Sequence, residues 1–200
     1  MIENYKINYK LDNIWFFNSF FSDEEFNAIK NITKKLNLYQ DSRSNNRISS
    51  CVHTQKHKEL YDLIYKNNKL INIINNIKKN NYIINDNPSF PIEYRKYFNG
   101  SQGIPWHIDT SLFTPDAFEI VLTLENSSDS LFEWMENNSK KSISPKPNDL
   151  VILRPTYVLH RVTPINIGER TILKFIIELL DKNKNIKKIQ YFDEINKCKF

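Results

Sequence analysis

The sequence predicts an α+β fold in which N-terminal helices buttress one face of a β-sandwich. Three observations carry that prediction. Apolar residues recur at helical spacing over a front of about residues 1–85, the chain breaks into short apolar or alternating segments over about residues 90–180, and Gly, Pro, Asn, Asp and Ser separate those segments. A helical front followed by an all-β rear buries its apolar faces by laying helices on a sheet. One domain over residues 1–180 with a polar extension over 181–200 is the expected organisation.

Taken in order, the apolar run 14–17 precedes Ser22-Asp23-Glu24-Glu25, which reads as a capping box: the Ser22 hydroxyl caps a helix and Glu25 reaches back three residues. Phe26, Ile29, Ile32, Leu36 and Leu38 continue the apolar side of that helix to about Leu38, and the polar residues 40–46 mark a surface loop. A second helical stretch runs over about 57–79, with Leu60, Leu63, Ile64, Leu70, Ile73, Ile74 and Ile77 forming a core stripe. Beyond Pro88 and Pro91, strands are expected over 92–98, 105–109, 118–125, 130–135, 149–154, 158–162 and 171–180. The lysine-rich tail 181–200 reads as a fringe strand, a helix or a disordered extension, and no internal repeat is present.

A chain of 200 residues buries enough surface to stand without disulfide or zinc staples, and 40% hydrophobic residues with 13 Phe, 10 Tyr and 3 Trp exclude disorder. The net charge of +5 arises from 28 basic and 23 acidic residues spread along the chain. With one modest basic run at 182–188, this reads as a solvated surface and not as a stripe for nucleic acid. Cys51 and Cys198 are too few for a disulfide framework or a thiolate metal site, so free thiols in a reducing compartment are expected. Residues 1–13 lack an apolar core, and no run approaches the ~20 apolar residues of a membrane span. A soluble, cytoplasmic protein without membrane partners is the expectation, and oligomeric state is not legible.

The chemistry concentrates in the β half. On a strand, residues i and i+2 share a face, so His107 and Asp109 present an imidazole and a carboxylate side by side. His160, 51 residues beyond Asp109 in an apolar-flanked segment, brings a second imidazole from a distant strand. Two histidines and one carboxylate occupy one face of a metal and leave the rest open, the arrangement used for iron(II) oxygen chemistry. A structural zinc site would need four protein ligands, although a zinc with a bound water fits the same three. A fixed cation for the far carboxylate of 2-oxoglutarate separates these two cases. Arg170 supplies one, ten residues beyond His160 after the turn-like 164–168, with a planar fork suited to a carboxylate. Arg170, Ile172, Lys174 and Ile176 share a strand face, so Lys174 either enters the same cavity or lies at its rim and reaches solvent.

Tyr97-Phe98-Asn99-Gly100 ahead of His107-Ile108-Asp109, the segment 146–153 ahead of the distal histidine, His160-Arg161-Val162-Thr163-Pro164 with Gly168-Glu169-Arg170, and Phe20-Phe21-Ser22-Asp23-Glu24-Glu25 form an ordered set over most of the chain. This set resembles the 2-oxoglutarate/iron(II) dioxygenases and, within them, the prolyl 4-hydroxylase-like group. H-x-D alone arises by chance, and any single histidine reads as an ordinary core or surface residue; the specificity lies in the order of the four. His53 and His57 of the helical front are left to that ordinary role.

The resemblance implies a double-stranded β-helix, a jelly-roll or cupin-like core. It implies Fe(II) held by His107, Asp109 and His160, with 2-oxoglutarate and O2 as co-substrates and ascorbate as an accessory reductant. Arg170 would receive the far carboxylate, and Tyr97 would line the same pocket. Thr123 stands where several protein hydroxylases carry a second tyrosine, and Ser128-Asp129-Ser130 replaces a common Gly-Gly before an acidic residue. Arg95, Trp106, Phe113 and Trp134 are candidates for the substrate wall, with ordinary packing as the alternative for each.

The activity implied is hydroxylation of a C–H bond with decarboxylation of 2-oxoglutarate to succinate, first on a prolyl residue of a protein or peptide. A small-molecule oxygenase acting on an amino acid or sugar derivative, with Lys174 as carboxylate partner, is the alternative. An oxidative nucleic-acid demethylase would share Tyr97, Gly100 and Ile104, but Ile176 stands where those enzymes carry a second arginine. A catalytically silent binding module is opposed by the intact ligand set with Arg170.

Overall fold

A computed structural model describes residues 7–10, 13–41, 46–52, 57–78, 82–85, 88, 90–109, 113–114, 117–181 and 187–188. Strands β1 (Ile7–Lys10) and β2 (Ile14–Phe17) precede helix α1 (Asp23–Thr33). The capping box forms as the sequence predicts: Glu25 N–H donates to Ser22 Oγ at 3.2 Å, and Ser22 N–H donates to Glu25 Oε2 at 2.9 Å. The helix ends at Thr33, earlier than expected, and Leu38 is exposed beyond it.

Strands β3 (Tyr39–Gln40) and β4 (Arg47–Val52) follow, so part of the predicted surface loop is sheet, residues 42–45 lying outside the described set. The single helix predicted over 57–79 is two, α2 (Lys58–Tyr65) and α3 (Asn68–Ile77). Asn67 makes the break. Its extended backbone cannot continue a helix, and its side chain accepts from Leu70 N–H at 3.1 Å while donating to Glu25 of α1 at 3.0 Å.

The rear half runs β5 (Tyr82–Ile84), β6 (Ile92–Tyr97), β7 (Ile104–His107), β8 (Phe113–Thr114), β9 (Phe118–Asn126), β10 (Phe132–Glu136), β11 (Ser139–Ile143), β12 (Leu150–Leu153), β13 (His160–Val162), β14 (Arg170–Ile177), β15 (Leu179–Asp181) and β16 (Lys187–Lys188). All seven predicted segments contain a strand. The mostly polar β11, which pairs with β10 across the Asn137-Asn138 turn, was not expected, because Ser-Lys-Lys-Ser-Ile carries no alternation signal. Most of the tail 181–200 lies outside the described residues.

Among the described residues, eight strands form one antiparallel sheet in the order β1-β2-β12-β9-β14-β6-β4-β3, and four form a second in the order β11-β10-β13-β7. The expected helical front therefore supplies β1 to β4 to the large sheet. Register assigns its two faces. Ile120 and Leu122 of β9 lie opposite Phe175 and Leu173 of β14 and face the helices, joining Ile29, Leu60, Ile64, Leu70 and Ile74 in the larger core. Residues of the opposite parity face the small sheet, where Phe16, Val151, Leu153, Phe132 and Trp134 make a second core. The helices thus brace the sheet from behind, and the space between the sheets is left for a site. No helix of the described residues is long and apolar enough to cross a membrane.

Candidate metal centre

Strands β7 and β13 of the small sheet pair antiparallel with His107 opposite His160. Their approach depends on Gly103, which has φ +70°, and at which a Cβ would stand 2.3 Å from the Val162 carbonyl oxygen. The imidazole centroids are 4.3 Å apart. Asp109 lies just past the end of β7, shorter than the predicted strand, and still on the histidine side: its Oδ1 is 3.5 Å from His107 Nε2 and its Oδ2 is 3.4 Å from His160 Nε2. One potential ligand atom from each of the three lies within 4.8 Å of the others.

The remaining ring nitrogens settle the tautomers. His107 Nδ1 is 2.8 Å from the Pro105 carbonyl and His160 Nδ1 is 2.9 Å from that of Val158. A carbonyl only accepts, so each Nδ1 carries a proton, and each Nε2 faces Asp109, donating to it when the ring is protonated and offering a lone pair when the ring is neutral. A hydrogen bond with Asp109 raises the His107 pKa against the opposing effect of burial, whereas burial pushes His160 down. Burial opposes ionisation of Asp109, but the His107 hydrogen bond and the Lys174 charge outweigh it and hold the carboxyl below its usual range. Buried Asp109 Oδ2 has no hydrogen-bond partner. Two imidazoles whose Nε2 atoms are free to ligate once deprotonated, and a carboxylate oxygen in need of a partner, fit a divalent transition metal bound on one side.

A cavity opens from this triad between the two sheets. Arg170 begins β14 at its far end, opposite Tyr97 of β6. It is 4% exposed, its Nε has no hydrogen-bond partner, and no carboxylate pairs with it among the described residues. Burial pushes its pKa down. Thr123, on the same inner face, is fully buried with an unpartnered hydroxyl. An isolated buried guanidinium is costly and implies an anion that completes it; a short diacid reaching toward the triad fits.

Tyr97 connects this end to the front half. Arg47 Nη1 donates to its hydroxyl at 3.4 Å, Arg47 Nε is 2.9 Å from Asp41, and Ser49 Oγ donates to Asp41 at 2.7 Å. Burial alone would raise the Tyr97 pKa, but the guanidiniums of Arg95 and Arg47 outweigh it and lower it. Sequence reasoning missed Asp41, inside the segment expected to be a loop, and Arg47, just past its end; an Asp and an Arg in a polar stretch are too common a signal to single out.

Lys174 lines the cavity with its Nζ 2.8 Å from Glu119 Oε2, and Arg95 lines it with Nε and Nη2 donating to Glu93 Oε2 at 2.9 and 2.6 Å. Glu119 and Glu93 were also missed, although an acid inside the apolar run of β9 is a legible anomaly. The two tryptophans lie elsewhere. Trp134 is buried in the inter-sheet core against Phe16, at a centroid distance of 4.8 Å, and Trp106 lies under the Arg161 guanidinium on the other face of β7 from His107. His57 occupies the N-cap position of α2. His53, Cys198 and the side chains of Cys51 and Phe113 lie outside the described residues.

No protein-family model matches the chain, and no curated protein matches it. Solved structures do. An oxidoreductase of the 2OG-Fe(II) oxygenase family from Burkholderia pseudomallei is similar with a TM-score of 0.65 at 13% identity, over 86% of this chain and 85% of that one. HygX from Streptomyces hygroscopicus, solved with nickel, 2-oxoglutarate and hygromycin B bound, gives 0.63 at 7% identity over 82% of each chain. A Pseudomonas putida prolyl-4-hydroxylase gives 0.56 at 15% identity over 83% of this chain and 92% of that one. The chain has the double-stranded β-helix fold of these oxygenases.

Proposed function

We propose that this protein is a non-haem Fe(II)- and 2-oxoglutarate-dependent dioxygenase that hydroxylates a C–H bond. The observation that carries the reading is Arg170, a buried guanidinium without a carboxylate partner among the described residues, at one end of the cavity whose other end holds the His107/Asp109/His160 cluster. A structural zinc site would have no use for such a cation, whereas a dicarboxylate between the two completes both.

In this reading His107, Asp109 and His160 hold the metal, Arg170 receives the distal carboxylate, and the Tyr97 hydroxyl lies beside it, while Thr123, behind the lining of the cavity on the same sheet face, would assist only by its unpartnered hydroxyl. Iron(II) bound there would activate O2, one oxygen atom reaching the substrate as a hydroxyl and the other the succinate formed with CO2 from 2-oxoglutarate. The chain's own share is placement. The Pro105 and Val158 carbonyls fix the imidazole orientations, and the apolar wall of Val121, Val151, Leu153, Phe132 and Ile172 excludes water between the charged ends. Ascorbate would serve as the accessory reductant.

Two substrate readings follow. A prolyl residue of a protein or peptide is supported by the motif likeness and by two prolyl hydroxylases among the similar structures, one in complex with a peptide fragment. A small molecule is supported by the buried ion pairs of the cavity and by likeness to HygX, whose structure holds hygromycin B. Succinate release from 2-oxoglutarate by the iron-loaded protein, absent from His107→Ala and strongly reduced in Arg170→Met, tests the dioxygenase reading; wild-type protein inert with iron and ascorbate across a peptide and metabolite library would overturn it.

A further inference from the structure

The inner wall of the large sheet has two charged ends of different character. At one, Arg170 has no carboxylate partner among the described residues and its Nε has no hydrogen-bond partner. At the other, Lys174 and Arg95 are set against Glu119 and Glu93, and Lys174 also feels the charge of Asp109 beside the candidate metal. Register puts these four on one patch: Lys174 lies opposite Glu93, Ile172 opposite Arg95, and Glu119 one rung from Lys174 on β9. Arg95 and Glu119 are each 7% exposed.

The Lys174–Glu119 pair lies outside the reach of the co-substrate held by Arg170, while Arg95, bonded to Tyr97, stands between the two ends. Four residues along a strand separate Lys174 from Arg170 by about 13 Å, with Ile172 between them on the same face. A five-carbon diacid spans no more than about 7 Å at ~1.5 Å per bond. In this patch, Lys174, Glu119 and Arg95 line the same cavity as the three candidate metal ligands, with Lys174 within the field of Asp109.

Its chemistry is that of a paired-charge surface. Removing two cations and two carboxylates from water gains nothing for the fold that apolar residues of similar volume would not give. The Lys174 pair retains bonding capacity: Lys174 carries three N–H donors and touches only Glu119 among the described residues, whereas Arg95 is already shared between Glu93 and the Tyr97 hydroxyl and has fewer N–H groups to offer. A ligand with a carboxylate and an ammonium a few bonds apart can dock antiparallel to the Lys174–Glu119 pair, each charge meeting its opposite. A prolyl residue within a peptide chain has neither charge to offer there.

From this geometry we propose that the primary substrate is a small zwitterion of free amino acid size, its carboxylate on Lys174 and Arg95 and its ammonium on Glu119. The inference rests on the dioxygenase reading for what happens next, but binding is measured separately. The test uses calorimetric titration of the nickel-loaded, 2-oxoglutarate-bound protein with the twenty free L-amino acids, their N-acetyl and C-amide derivatives, and an end-blocked proline-rich peptide.

At least one free amino acid binds, and blocking either end weakens it on the order of tenfold or more. Lys174→Met/Glu119→Gln, which neutralises the pair at similar volume, folds with a cooperative transition and loses that binding while still taking up 2-oxoglutarate. A pair with a purely structural role would leave amino acid binding in the double variant unchanged, and that result overturns the proposal. Wild-type protein that binds 2-oxoglutarate but no free amino acid, or that prefers the blocked peptide, overturns this inference alone. Protein that binds neither overturns the dioxygenase reading with it.

Discussion

His107 and His160 stand opposite one another on paired strands with ring centroids 4.3 Å apart, and each has its Nδ1 hydrogen-bonded to the carbonyl two residues before it. Both Nε2 lone pairs therefore point into one small volume, and a proton or a metal must compete for it. A metal binds only the neutral rings, so affinity falls with acidity. Asp109 raises the His107 pKa and burial lowers that of His160, so on lowering the pH His107 takes up its proton first and sets the upper edge of the window. Nickel(II) titrated calorimetrically between pH 5 and 8 should lose about one log unit of affinity per pH unit once His107 is protonated, and about two once both are. His107→Ala should weaken nickel by at least ~100-fold at pH 7.5. Affinity that is flat across this range would contradict the arrangement.

The isolated Arg170 makes an unusual prediction about stability. A buried guanidinium with no carboxylate partner among the described residues costs the empty protein, so Arg170→Met should raise the melting temperature of the ligand-free form rather than lower it. The same variant should lose its cation for the diacid, worth about 3 kcal/mol or ~100-fold in 2-oxoglutarate affinity. The wild type should therefore gain thermal stability with millimolar 2-oxoglutarate and nickel, and the variant should not. Melting curves of four samples read both effects, and a destabilised empty variant would show that Arg170 is already paired.

Tyr97 carries a spectroscopic signature. Burial works against its phenolate, yet Arg95 and Arg47 lower its pKa, whereas burial raises the pKa of Tyr94 and Tyr65. Absorbance near 295 nm, followed as pH rises, should show an early phenolate step that Tyr97→Phe removes and Arg47→Met shifts upward. The sign for stability follows: a depressed folded-state pKa contributes stability fully present above the unfolded value of about 10 and lost as pH falls through the folded one, so the ionisation adds nothing at neutral pH. An early step that persists in Tyr97→Phe would assign it to another tyrosine.

How much of this was legible depends on the range of the interactions. His107 and Asp109 share a face because local strand parity puts them there, and Arg170 with Lys174 follows the same rule along β14. The capping box of α1 is likewise written in four consecutive residues. What stayed hidden is set by partners far away in sequence. Nothing near Phe118 says that β9 will lie between β12 and β14, and it is that placement which turns Glu119 toward Lys174. Arg47 reaches Tyr97 only because the short polar β4 joins the sheet beside β6, a pairing with no apolar alternation to announce it. The break at Asn67 is local in chemistry, but the apolar stripe runs through it unchanged and conceals it.

Gly103 is the position where backbone geometry and the metal centre meet. Its φ of +70° is strained for any residue with a side chain, and an added Cβ would lie 2.3 Å from the Val162 carbonyl oxygen and 2.8 Å from that of Thr163. Relief requires β7 to move away from β13, because those backbone atoms have no flexible side chain to yield. The pairing that would open is the one that holds His107 opposite His160, so the lesion is transmitted to the ligands and not only to the fold. Gly103→Ala should cost about 1–3 kcal/mol of stability in urea unfolding. Nickel affinity should fall with it by at least ~10-fold, since a metal bound by two strands senses their separation directly. A comparable loss of stability introduced on the helix side, by Ile74→Ala in the core behind the large sheet, should leave nickel affinity within about twofold. If both variants lose nickel equally, the effect of Gly103→Ala is general destabilisation and the strand contact has no special role in presenting the histidines.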